Sequence, residues 1–76
     1  MMVIPAVTAK QMQKVLVSLD WKVVHEYGAY QYYRSDEFPK RLITLPLYDE
    51  GDLPLKVLVH ILDTAELNFA ELVWFM

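Results

Sequence analysis

Apolar residues near the start of the chain recur at the three- and four-residue spacing of an amphipathic helix. Just before this run, Thr8 and Gln11 lie three positions apart, the pattern of a capping box that satisfies the first backbone amides of a helix. A helix is therefore predicted over residues 9–19. Its apolar face consists of Met12, Val15, Leu16 and Leu19.

Three later stretches are rich in β-branched and aromatic residues and predict strands over residues 21–27, 30–34 and 41–47. Gly28 separates the first two strands and can take the positive φ that a tight hairpin turn often requires. Pro46 has no amide donor, so it is expected near a strand end or at a sheet edge. Regular alternation in the first strand predicts that four side chains share one face: Trp21, Val23, His25 and Tyr27.

Two further helices are predicted after the strands. Asp52 is expected to cap the first of them, with Pro54 in its first turn, and this helix continues to about residue 65. Its core face consists of Leu55, Leu58, Leu62 and Ala65, with a second apolar strip beside it formed by Val57 and Ile61. Asn68 and Glu71 predict the cap of a short final helix.

This order predicts one α+β domain over residues 1–76, with a three-stranded antiparallel sheet and helices on one face. The other face of the sheet is left for solvent, a partner or a ligand. A domain of 76 residues buries only roughly 60 % of its unfolded surface, so a second copy or another partner would help to stabilise it. A homo-oligomer is therefore expected.

Charge and composition exclude several functions. The chain has no cysteine, which removes disulfides and thiol chemistry, and its net charge of −3 argues against strong non-specific nucleic-acid binding. Six of the seven basic residues precede position 42, against four of the ten acidic ones, which permits a modest basic surface in that part. The chain lacks a basic leader and a long apolar run, so a cytoplasmic protein with no membrane contact is expected.

No cofactor or metal site is predicted. The two histidines, His25 and His60, fall on different elements, and no glycine-rich phosphate loop is present. On sequence alone, His25 is best interpreted as a half-buried strand residue and His60 as a surface or packing residue.

Four motifs in order give the chain a family resemblance. They are Asp20-Trp21 after the first helix, Gly28-Ala29-Tyr30-Gln31-Tyr32-Tyr33 at the hairpin, Ile43-Thr44-Leu45-Pro46 in the third strand, and residues 52–62 at the second long helix. Together they resemble the HicA (YcfA-type) toxin family over about residues 8–72.

The resemblance implies a double-stranded-RNA-binding-domain-like fold, cleavage of messenger RNA, and a HicB-type antitoxin as partner. The family keeps a catalytic histidine at the hairpin, and Tyr30 stands at that position here. Ala29 replaces the preceding serine or glycine, and Tyr48 replaces a second histidine that members often have. Because a phenol is a poor base at neutral pH, ribonuclease activity is expected to be weakened or lost, and the protein is expected to act by binding.

Two other functions stay open. One is an active toxin with a rearranged site that uses His25, Tyr30 or Tyr48. The other is a structural protein-interaction module that does not bind RNA.

Candidate binding residues follow from residue type and position. The tyrosines around the hairpin are suited to stacking on unpaired bases, although packing between strands is the simpler interpretation. The predicted RNA-binding set is Lys22, Tyr30, Tyr32, Arg34, Lys40 and Arg41. The predicted partner-binding set, for an antitoxin or a second copy, is Val57, Ile61, Trp74 and Phe75.

Overall fold

Three strands lie between one N-terminal helix and two C-terminal helices in the computed structural model, which describes residues 6–47 and 51–76. In chain order the elements are α1 (Ala9–Ser18), β1 (Lys22–Tyr27), β2 (Tyr30–Arg34), β3 (Ile43–Pro46), α2 (Leu55–Ala65) and α3 (Phe69–Phe75). The strands pair antiparallel in the order β1-β2-β3 and form an open sheet. The predicted α+β class and the order of elements are confirmed.

Helix α1 begins as its sequence predicts. The backbone amide of Gln11 donates to the Thr8 hydroxyl at 3.2 Å, and the Thr8 amide donates to the Gln11 side chain at 3.0 Å. Met12, Val15 and Leu16 are fully buried. The helix ends at Ser18, and the predicted last residue, Leu19, is its half-buried C-cap.

The β1–β2 hairpin contains a bulge that the sequence pattern did not predict. Gly28 takes a φ of +57° in the turn, as expected. Val23 pairs with Tyr33 and His25 with Tyr32, so Val24 is an extra residue without a partner. The prediction of one common face along this strand is therefore wrong, because the bulge places Val23 and His25 on opposite faces.

Trp21 also departs from that prediction. It lies just before β1 and is buried, with its ring stacked on Phe38 at a centroid distance of 6.0 Å.

Helix α2 begins at Leu55 with Pro54 as its N-cap residue, and no side chain caps it. The predicted cap, Asp52, instead forms an antiparallel bridge with Thr8, and the next amide, of Leu53, donates to the Val7 carbonyl at 2.7 Å. This pairing keeps the chain extended up to the helix, so the prediction for Asp52 is wrong.

The core lies between the helices and one face of the sheet. Alternate residues of β2 and β3 point into it, namely Gln31, Tyr33, Ile43 and Leu45. Helix α2 contributes Leu58, Ile61, Leu62 and Ala65, so the predicted core role of Leu55 is wrong; that side chain is mostly exposed. Leu72 anchors α3 to the same core.

A small polar network crosses the core at Gln31. Its side-chain oxygen accepts from the Gln13 amide and from the Tyr33 hydroxyl, each at 2.8 Å. Its side-chain nitrogen donates to Glu26 at 2.7 Å. The network links α1, β1 and β2, and no buried side-chain polar atom of the described residues lacks a partner.

Burial raises the pKa of Tyr33. The Gln13 amide partly offsets this effect, and the negative charge of Glu26 adds to it.

The described residues contain no helix that is both long and apolar enough to cross a membrane.

Candidate functional site

The sheet face turned away from the core carries three of the six candidate RNA-binding side chains. On β2 these are Tyr30, Tyr32 and Arg34, which alternate with the buried residues. Thr44 and Pro46 of β3 lie opposite Tyr32 and Tyr30, and His25 and Tyr27 of β1 lie on their other side. This surface, together with the adjoining side of α2, is called the open face below. It consists of Val24, His25, Tyr27, Tyr30, Tyr32, Arg34, Leu42, Thr44, Pro46, Lys56, Val57 and His60.

One shallow groove of the open face, the β1 groove, has a volume of about 380 Å³. The His25 ring lies 5.9 Å from the Tyr32 ring, centroid to centroid, and is tilted by 39°. The Arg34 guanidinium is at the same groove and donates to the Pro39 carbonyl at 3.3 Å. His25 is exposed, which corrects its interpretation as a half-buried strand residue.

A second groove, the α2 groove, has a volume of about 330 Å³ and lies where α2 packs along β3. Tyr30 reaches it from the sheet, and Lys56 and His60 reach it from the helix. Tyr30 therefore shares a groove with the second histidine of the chain.

Sequence reasoning missed the placement of His60. One signal was available: Lys56 and His60 are four residues apart on α2, so they lie on the same side of the helix. That side is next to the apolar strip of Val57 and Ile61. Which strand it meets depends on the packing of α2 along β3, which the sequence pattern does not specify.

The charges of the open face differ from those of the whole chain. No aspartate or glutamate lines either groove within the described residues, although the chain has ten acidic residues. Glu26 of β1 is on the opposite face, where it accepts from Gln31. The open face is thus aromatic and weakly basic on a chain whose net charge is −3.

Arg41 has a structural role that separates it from the rest of the predicted RNA-binding set. Its guanidinium donates to the Thr64 carbonyl at 3.0 Å and lies 3.7 Å from the Glu66 carboxylate. It also stacks over the Phe38 ring at 4.7 Å. A cation at this end of α2 stabilises the unpaired carbonyls of the last turn. Arg41 therefore does not contribute to the open face.

The two lysines of the predicted set also lie at the margin. Lys22 is the register partner of Arg34, but it lines a hollow with Asp20, Asp36 and Glu37. These carboxylates reduce its attraction for a phosphate. Lys40 is exposed in the β2–β3 connection and lines neither groove. Tyr48 lies outside the described residues.

The predicted partner-binding residues divide between core and surface. Ile61 is fully buried, so the prediction of a surface strip with Val57 is wrong for this residue. Val57 is half-buried and lines the α2 groove, and Phe75 is half-buried against the core. Trp74 is 84 % exposed on α3.

Within residues 6–47 and 51–76, no three histidine, cysteine, aspartate or glutamate side chains cluster as metal ligands. Comparisons with protein-family models, curated proteins and solved structures find no match for the chain.

Proposed function

We propose that this protein is a HicA-like RNA-binding protein with a double-stranded-RNA-binding-domain-like fold and with weakened or lost ribonuclease activity. The α-β-β-β-α order and the open antiparallel sheet are consistent with that fold. Tyr30 stands at the family's histidine position and is exposed on the open face. Unpaired RNA bases are the proposed ligand of this face.

One observation carries the proposal: exposed tyrosines and cations lie together on a surface that no carboxylate of residues 6–47 and 51–76 lines. Tyr27 and Tyr30 are 72 % and 46 % exposed and lie opposite each other on neighbouring strands. Aromatic side chains on an open sheet provide stacking platforms for bases, and nearby cations attract the phosphates. Arg34 and Lys56 supply those cations on the two sides of the tyrosines.

The loss of activity follows from the chemistry of Tyr30. General acid–base cleavage needs a group that both takes and returns a proton near neutral pH, as histidine does. Replacing such a group typically costs about 10²–10⁴-fold in rate. Binding then becomes the main function of the surface.

The binding test is fluorescence anisotropy with a labelled single-stranded RNA at low ionic strength. Tyr32→Ala is expected to weaken binding about tenfold, since stacking contributes ~1–3 kcal/mol per base. Trp74→Ala is the matched control, because it removes an exposed aromatic ring of α3, outside the open face. Equal affinity of the Tyr32→Ala variant and the wild-type protein would contradict the proposal. Absence of salt-dependent binding by the wild-type protein would favour a structural interaction module.

A second candidate function is an active ribonuclease with a rearranged site. The observation that favours it is the position of His60 in the same groove as Tyr30. The test compares RNA cleavage by the wild-type protein with cleavage by identically prepared His60→Ala and Tyr30→His variants. Cleavage by the wild-type protein that His60→Ala abolishes would establish this candidate. Cleavage by Tyr30→His alone would support the first proposal.

The partner also stays a proposal. A HicB-type antitoxin or a second copy of the chain is proposed to bind the exposed side of α3, where Val73, Trp74 and Met76 are exposed. Sedimentation velocity of the wild-type protein and of a Trp74→Glu variant tests the homo-oligomer. A monomer at high concentration would exclude self-association through this surface.

A further inference from the structure

The α2 groove combines two cationic side chains with a tyrosine. Lys56 and His60 are one turn apart on α2, and both line the groove that Tyr30 borders from β2. Neither Lys56 nor His60 forms a side-chain hydrogen bond or an ion pair within the described residues. Both side chains are exposed.

Among the described residues, the titratable groups around His60 belong to α2 and β2. On α2, Lys56 precedes it by one turn and Asp63 follows about one turn later. From the sheet, β2 contributes Tyr30, and β3 contributes Thr44 and Pro46, which do not titrate. Lys56 and His60 lie on the same side of α2, so one anion can contact both side chains.

The β1 groove lacks this arrangement. Its histidine, His25, lies against the Tyr32 ring, and its cation, Arg34, already donates to the Pro39 carbonyl. The two histidines of the chain therefore differ: His60 lies one helical turn from a lysine, and His25 lies beside an aromatic ring.

We infer that the α2 groove is a phosphodiester-binding subsite, in which Lys56 and the protonated imidazole of His60 contact one phosphate group of an RNA strand. The subsite rests on the proposed RNA-binding function and adds a property to it. Because histidine changes charge between about pH 5 and about pH 8, RNA binding becomes tighter as the pH falls. Tyr30 is placed to stack on the base next to that phosphate.

The first experiment measures single-stranded RNA affinity by anisotropy at about pH 6 and about pH 8, the range in which imidazole gains its proton. The wild-type protein is expected to bind about three- to tenfold more tightly at the lower pH, as one charge-assisted contact is added. His60→Gln should remove most of this gain. His25→Gln removes the other histidine, which also lies on the open face, so it is compared by the pH-dependent gain alone; this gain should persist. Binding of the wild-type protein at the higher pH reports the proposed function separately from the subsite.

Three results would overturn the inference. If RNA binds and His60→Gln keeps the full pH dependence, the subsite is wrong while the RNA-binding function stands. If His25→Gln removes the gain instead, the phosphate lies in the β1 groove. If the wild-type protein binds no RNA at either pH, both the subsite and the proposed function fail.

A second experiment tests Lys56 and the source of the phosphate. Lys56→Ala should lower the slope of log affinity against log salt by about 0.7, the value for one phosphate contact on a single strand. Lys10→Ala on α1 removes the same charge outside the groove and should leave the slope unchanged.

The chemical shifts of the His60 ring protons, measured by nuclear magnetic resonance, are expected to change when RNA is added but not when inorganic phosphate alone is added. An equal change with inorganic phosphate would contradict the assignment to a phosphodiester.

Discussion

The two faces of strand β2 place neighbouring side chains in opposite environments. Tyr33 is 1 % exposed, packs in the core and donates a hydrogen bond to Gln31. The adjacent Tyr32 lies on the open face beside the His25 ring and the Arg34 side chain. The same residue type thus packs in the core on one face and lies on the open face on the other.

The open face is rich in aromatic side chains. The rings of Tyr27 and Tyr30 are 72 % and 46 % exposed, so the fold buries only part of their surface. Contiguous exposed apolar surface with a polar margin is typical of a binding site. The proposed RNA ligand would account for the exposed tyrosines of this face.

The largest expected effect is the difference in stability between the Tyr33→Ala and Tyr32→Ala variants. Tyr33→Ala should reduce the free energy of unfolding by about 3–5 kcal/mol, because a buried aromatic ring leaves a cavity. Tyr32→Ala should reduce it by about 1 kcal/mol or less, the range for one cross-strand pair. Urea denaturation followed by circular dichroism measures both. Similar losses for the two variants would show that the open face is part of the folded core.

The buried network provides the next test of the core face. Gln31→Leu leaves the Gln13 amide and the Tyr33 hydroxyl without their shared acceptor, at a cost of about 1–3 kcal/mol. The double variant Gln31→Leu/Tyr33→Phe should recover part of this loss, because it also removes an unpaired hydroxyl. Additive losses in urea denaturation would mean that the network does not act as a unit.

An added negative charge tests whether RNA binding depends on the open face. Val24→Glu places a carboxylate in the β1 groove, which no carboxylate lines among the described residues, and should weaken RNA binding about fivefold. Val17→Glu on α1 makes the same change in net charge at a similarly exposed valine outside the open face. Anisotropy should show a clearly smaller effect for it. Equal effects would indicate that only net charge matters.

The smallest expected effect is a loss of stability at alkaline pH. Burial raises the pKa of Tyr33 above its ordinary value of 10.0, so the unfolded phenol ionises at a lower pH than the folded one. The stability from the neutral folded phenol is complete below pH 10.0 and is lost as the pH rises through the folded-state pKa. The urea midpoint of the wild-type protein should therefore fall as the pH rises above this range, and that of the Tyr33→Phe variant should fall less. An unchanged decline would assign the loss to other groups.

Features with local signals could be predicted from the sequence. The capping box at Thr8, the turn at Gly28 and the order of elements each depend on residues a few positions apart. The bulge at Val24 could not be predicted, because it depends on how β1 and β2 align. Asp52 was misjudged for a similar reason: its pairing with Thr8 depends on the fold of the whole chain.

Only the part of the candidate site on β2 could be predicted from the sequence, because alternation along a strand decides which side chains share a face. Tyr30, Tyr32 and Arg34 lie on one face of β2 by their spacing alone. Arg41 is predicted to bind RNA from its charge and its position near the hairpin. Its contact with Thr64 could not be predicted, because it joins distant parts of the chain. His60 was missed because its groove forms only when α2 packs along β3.

The most direct test of RNA binding by the open face is a titration of the protein with single-stranded RNA, followed by amide chemical shifts. The account predicts that the largest changes lie around Tyr30, Tyr32 and Thr44 and in α2 near His60, with little change in α1 or α3. Changes concentrated in α1 and α3, or no changes at saturating RNA, would contradict it.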